Sequence, residues 1–122
     1  TMENPVQWLE IATTDLERAK DFYAKVFELE FQFIEMPDSK MYMFGEPDKV
    51  GSAGCLVKAE GSNPSEKGTV IYFSCEDVTS QLKLVESAGG KLIVPKTDIG
   101  EFGFFAHITD TEGNRIGLHS NK

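Results

Sequence analysis

Long hydrophobic runs are missing from this chain. No apolar stretch in its 122 residues approaches the roughly 18 needed to cross a bilayer. No basic, apolar, small-residue leader opens it, so secretion is not expected and a cytoplasmic location is. Positive charge is scarce: 12 Lys and Arg stand against 20 Asp and Glu, for a net charge of −8. A surface of that sign offers no basic footprint, which argues against nucleic acid or an anionic membrane as the main partner. Cysteine is limited to Cys55 and Cys75, each inside an apolar run and without C-x-x-C spacing. They read as reduced core thiols and not as a disulfide or a metal site. There is no P-loop, no G-x-G-x-x-G and no Ser-His-Asp order with a supporting motif, which removes the familiar phosphate-cradling and acyl-transfer arrangements.

What is present looks globular. Hydrophobic residues make up 40% and charged residues 26%. One domain over residues 1–122 is expected, long enough to bury about two-thirds of its unfolded surface. Its most informative stretch is residues 6–27, V-Q-W-L-E-I-A-T-T-D-L-E-R-A-K-D-F-Y-A-K-V-F. Polar and apolar residues roughly alternate through residues 7–12, as in a strand with two different faces. Thr13, Thr14 and Asp15 supply helix N-cap chemistry. Leu16, Ala19, Phe22, Tyr23, Val26 and Phe27 then recur at helical spacing.

The pattern returns. Residues 70–74 read as a strand, Cys75-Glu76-Asp77 as the corner, and 78–88 as a helix closed by Gly89-Gly90. Asp15 and Asp77 are 62 residues apart, as are Trp8 and Val70. One such period in a chain this short means two copies of a single unit. Further strands are expected at 28–35, 41–44 and 53–58 in the first copy, and at 91–94 (closed by Pro95), 104–109 and 115–120 in the second. Unit one thus covers about 5–59 and unit two about 69–120. The polar, turn-rich segment E-G-S-N-P-S-E-K-G, about 60–68, links them.

The segments T-D-L-E-R-A-K-D-F-Y-A-K-V-F (14–27) and D-T-E-G-N-R-I-G-L-H (110–119), with A-G-C-L-V-K (53–58), resemble the glyoxalase/bleomycin-resistance/extradiol-dioxygenase superfamily, also called vicinal oxygen chelate. The resemblance implies an α+β fold of two paired βαβββ units related by a pseudo-two-fold. Curved mixed sheets enclose a cleft, helices lie on the outer faces, and a homodimer is usual. It also implies four metal-ligand positions, filled by His, Gln or Glu in metal-dependent members. Here those positions hold Trp8, Cys55, Val70 and Gly117. Three of these cannot ligate an ion, and a lone thiol cannot hold a divalent one. No metal and no cofactor are therefore expected.

Strand alternation names the inward face. If Leu9, Ile11, Ile71, Phe73, Ile116 and Leu118 lie under the helices, then Trp8, Glu10, Cys55, Val57, Val70, Tyr72, Arg115, Gly117 and His119 point into the cleft. Trp8, Cys55, Val57, Val70, Tyr72, Arg115 and Gly117 are the expected ligand-binding set, with Gly117 leaving space where an ion ligand would stand. Glu10 is the candidate general base, with a pKa raised by partial burial, and Tyr72 or His119 the acid. A salt bridge from Glu10 to Arg115, or a solvated rim position, is the structural alternative. His107 sits on a strand that can face either way and reads as an ordinary satisfied or exposed histidine.

Three functions follow, in this order. The first is binding of a small, partly apolar organic ligand without a metal. The second is a metal-independent isomerase or lyase using Glu10. The third is a metalloenzyme with atypical ligands such as Glu10, His119 and His107.

Overall fold

In the computed structural model, which describes residues 4–122, Asp15 and Asp77 each end an extended segment and start a helix. The Asp15 carboxylate accepts the Arg18 backbone N–H at 3.0 Å, opening α1 (Leu16–Phe27). Asp77 accepts that of Thr79 at 2.9 Å, opening α2 (Val78–Val85). Each cap satisfies one of the donors that a helix start leaves orphaned. The last turn after α2 is closed by Gly90 N–H to the Val85 carbonyl and Gly89 N–H to that of Glu86. Gly89 sits at φ +102°, a left-handed stop that its missing Cβ permits.

Eight strands surround the helices. The first sheet holds β1 (Trp8–Ala12), β2 (Gln32–Met36), β3 (Ser39–Phe44) and β4 (Ala53–Ala59), in the order β1-β4-β3-β2. The second holds β5 (Ile71–Ser74), β6 (Lys91–Asp98), β7 (Phe104–Thr109) and β8 (Arg115–Ser120), in the order β5-β8-β7-β6. In each, the first strand runs parallel to the last and the others pair antiparallel. This is the expected repeat of two βαβββ units.

The helix expected at 78–88 ends at Val85 and the strand expected at 41–44 starts at Ser39, and the two largest boundary differences are in β2 and β6. β2 begins at Gln32, because Glu28 takes a left-handed conformation (φ 56°) as the C-cap of α1. Leu29 and Phe31 then pack on the core from the connecting segment. β6 runs through Pro95 to Asp98. It is an edge strand with register shifts around Val94, so the missing proline N–H breaks no ladder.

Both units share one core. Ile11, Phe44 and Leu56 from the first sheet meet Ile108, Ile116 and Leu118 from the second, with Phe22 and Val26 of α1 and Val78 and Val85 of α2 between them. Each sheet spends one face on this core and leaves the other open. Tyr72 is 50% and Trp8 39% exposed on those open faces.

The turn at residues 110–114 clasps the units together. The Glu112 side chain is fully buried and reaches the start of α1. It accepts the backbone N–H groups of Thr14 (2.9 Å) and Asp15 (2.8 Å), and Arg18 Nε at 2.8 Å. Beside it, the Tyr23 hydroxyl donates to Asp110 at 2.6 Å, and Asn114 Nδ2 donates to the Ala12 carbonyl at 2.8 Å. Burial pushes the Glu112 pKa up. The donors from Arg18, Asp15, Thr14 and Thr111 outweigh it and hold the carboxyl at about 2.

Because the folded value lies below the unfolded one, this contribution is present in full above the unfolded pKa and is lost as pH falls through the folded one. Glu112→Ala is expected to lower stability by about 1–3 kcal/mol at pH 7, since it leaves two N–H groups at the start of α1 without their acceptor and Arg18 without its carboxylate. In chemical denaturation the gap between native and variant chains should shrink as pH falls from about 5 toward 2.

Candidate functional site

On the open face of the first sheet, Trp8, Glu10 and Ala12 stand in register with Ala53, Cys55 and Val57, and Met43 and Met41 lie opposite the last two. Cys55 and Val57 are buried. Burial, then the charge of Glu10, pushes the Cys55 thiol up to about 11, so it is neutral at physiological pH. Cys75 is likewise raised to about 11 by burial. Both cysteines are free, in keeping with their reading as reduced thiols.

Glu10 is exposed, not partly buried, and its carboxylate accepts the Trp8 indole N–H at 3.3 Å. A strand interior does not bury a side chain when nothing covers its face. Glu10 makes no ion pair with Arg115, and it shares no hydrogen bond with Tyr72 or His119, which stand on the other sheet.

The open face of the second sheet carries the more organised chemistry. The register His107↔Gly117↔Tyr72 aligns three strands. Arg115 Nε donates to His107 Nδ1 at 2.8 Å, and His107 Nε2 lies 2.5 Å from the Tyr72 hydroxyl. A guanidinium has only donors, so Nδ1 must offer its lone pair and the ring proton must sit on Nε2. His107 therefore donates to the Tyr72 oxygen, leaving the phenolic proton free to point outward. Burial, then the Arg115 charge, lowers the His107 pKa from its ordinary value, which favours this neutral form. The Phe105 ring meets His107 edge-on at 5.4 Å.

Gly117 does not leave a void. A Cβ there would fall 2.4 Å from the Tyr72 ring, so the ring itself covers the glycine. Tyr72 can lie flat on the sheet only because residue 117 has no side chain. Val70 is half-buried just ahead of β5. His119 shares the open face, in register with Ser74 and Phe105, but its Nε2 donates to the Phe102 carbonyl at 2.5 Å.

His107, read from the sequence as an ordinary satisfied or exposed histidine, is satisfied here by Arg115 and Tyr72 and links the two. The signal was available. The tight turn at 110–114 pairs Thr109 with Arg115, which fixes His107 opposite Gly117.

The four positions that could hold an ion present an indole N–H, a neutral thiol, an aliphatic side chain and a glycine under a ring. That donor set does not fit a divalent metal. Among the described residues no three His, Cys, Asp or Glu side chains lie close enough to share one, so Glu10, His107 and His119 form no atypical centre. A groove of about 1000 Å³ lies elsewhere, between the start of α1, the β2–β3 hairpin and residues 58–63. Its lining mixes charged, polar and apolar side chains, and none of the expected site residues lines it.

Comparison with known proteins places the chain clearly. The family model described as Glyoxalase/Bleomycin resistance protein/Dioxygenase superfamily matches residues 6–118. A glyoxylase-like domain-containing protein of Didymella fabae is 32% identical over 121 residues, 93% of this chain and 91% of that one. CFP32 of Mycobacterium bovis is 28% identical over 91% of this chain, which spans only 43% of its length. Among solved structures, TnmS3, an antibiotic binding protein from Streptomyces sp. CB03234, superposes with a TM-score of 0.73 at 22% identity over the whole of both chains. A glyoxalase I mutant from Zea mays gives 0.74 at 20% identity, this chain matching 47% of it.

The packing of Tyr72 on Gly117 has a direct test. Gly117→Ala should displace the ring, break its hydrogen bond to His107, and cost about 1–3 kcal/mol of stability. In a Tyr72→Ala background most of that penalty should vanish, a coupling that a double-mutant cycle by denaturant unfolding reads out.

Proposed function

Since the chain belongs to the Glyoxalase/Bleomycin resistance protein/Dioxygenase superfamily, we propose that it binds a small, partly apolar organic molecule on its open sheet faces, without a metal ion. The observation that carries this reading is the content of the four ion positions. Trp8 and Val70 supply apolar surface, Cys55 is a buried neutral thiol and the Tyr72 ring covers Gly117, so the four positions hold no competent donor set.

The two faces are chemically complementary. The first sheet offers a soft apolar surface at the half-buried Met41 and Met43, laid beside the buried Cys55 and Val57, and methionine adapts readily to irregular ligands. The second offers aromatic rings and fixed polar groups at Tyr72, His107 and Arg115. Few polar groups set in an apolar surface is the usual make-up of a small-molecule site. A relative of the same fold, TnmS3, is named for binding an antibiotic, which is in keeping with this reading.

The open faces also support a homodimer. Large side chains such as Trp8 and Tyr72 stand exposed on a single chain, and a second copy laid over them would turn open sheets into an enclosed site. No observation favours Glu10 as a general base, since it is exposed and held by the Trp8 indole.

Calorimetric titration of the purified chain with a panel of aromatic and amphiphilic compounds tests the reading. At least one should bind in the micromolar range, with an affinity unchanged by a chelator. Binding that disappears with the chelator and returns with a divalent ion would reject it, as would a panel with no binder.

A further inference from the structure

The chain carries 20 carboxylate side chains, yet the open face of the second sheet has none on its three successive strands β5, β8 and β7. Those positions of β5, β7 and β8 hold Tyr, Ser, Phe, His, Thr, Arg, Gly and His. In the middle stands Arg115. It is half-buried, and among the described residues it has no carboxylate within ion-pair distance. The other basic side chains without an acidic partner are all exposed, where water solvates them. A half-buried guanidinium lacking an anion is costly to keep unless something completes it.

The neighbours are set to help an anion and not to replace it. Only Nε of Arg115 is used, on His107 Nδ1, so its terminal nitrogens keep their donors. That same bond forces the His107 proton onto Nε2 and the Tyr72 hydroxyl proton outward. A guanidinium edge and a phenolic O–H are thus both offered on one acid-free surface, flanked by the Tyr72 and Phe105 rings. Charged donors of this kind are strongest toward an ionised oxygen.

We infer that this face is an anion subsite, and that the ligand is an organic carboxylate or phenolate with an aromatic or apolar flank. Its oxygen is held by Arg115 and Tyr72 beside the Gly117 position. His107 is a positioning residue, which fixes the orientation of both donors. The inference rests on the binding function proposed above and narrows its ligand to one charge class.

The test compares 2-naphthoate with its neutral isostere 2-naphthamide, titrated calorimetrically into the full chain at pH 7 alongside neutral aromatic compounds. The carboxylate should bind at least about tenfold more tightly than the amide. Arg115→Met should bring the two to within about twofold, chiefly by weakening the carboxylate. Should that variant fail to fold, Tyr72→Phe keeps the ring on Gly117 and removes only the hydroxyl. It should weaken carboxylate binding several-fold more than amide binding. Equal affinity for the two probes, or a preference that survives Arg115→Met, overturns the anion subsite and leaves the binding function standing. Binding of neutral compounds but of neither naphthalene probe does the same. If nothing binds, both readings fall.

Discussion

A carboxylate with six hydrogen bonds around it sits where the two halves of the chain meet. Glu112 belongs to the last turn of the second unit, yet its oxygens are taken by the opening of the first unit's helix and by Arg18. A helix start carries partial positive charge and unpaired N–H groups, so an inserted anion satisfies both. Tyr23 to Asp110 and Asn114 to Ala12 extend the same junction. The consequence is architectural. With α1 and α2 drawn into one core, each sheet has only its far face left to present.

Those faces differ in kind because the two copies have diverged at equivalent positions. Cys55 and Gly117 are related by the 62-residue repeat, yet one is a buried thiol and the other a floor for an aromatic ring. In the second sheet the absence of one side chain lets Tyr72 lie down. The hairpin register brings His107 beside it, and Arg115 fixes the tautomer. The corner at Gly117 is thereby a surface of oriented donors.

Much of this was legible in the sequence. Asp15 and Asp77 announce the helix starts by cap chemistry, and alternation separates Leu9 and Ile11 from Trp8 and Glu10. The Gly89-Gly90 pair signals the stop after the second helix, where Gly89 takes a left-handed backbone. The misses have physical causes. Glu28 in a left-handed conformation is not a residue that composition flags, so β2 starts later than its apolar alternation suggests. Pro95 reads as a stop, but an edge strand tolerates it. Glu10 was expected to gain burial from a cleft that one chain does not close over it. Gly117 read as empty because a glycine says nothing about which neighbour fills its place. The roles of His107 and Arg115 needed cross-strand register, which lies in the turn at 110–114 and not in either residue alone.

The central claim is that His107 is a neutral imidazole with its proton on Nε2, held so by Arg115 and presenting the Tyr72 hydroxyl outward. Nitrogen-15 NMR of the histidine side chains at pH 7 addresses it directly. The account predicts a protonated Nε2 and a bare Nδ1 lone pair for His107, with that signature lost in Arg115→Met. A proton on Nδ1, or a doubly protonated ring at that pH, would contradict it.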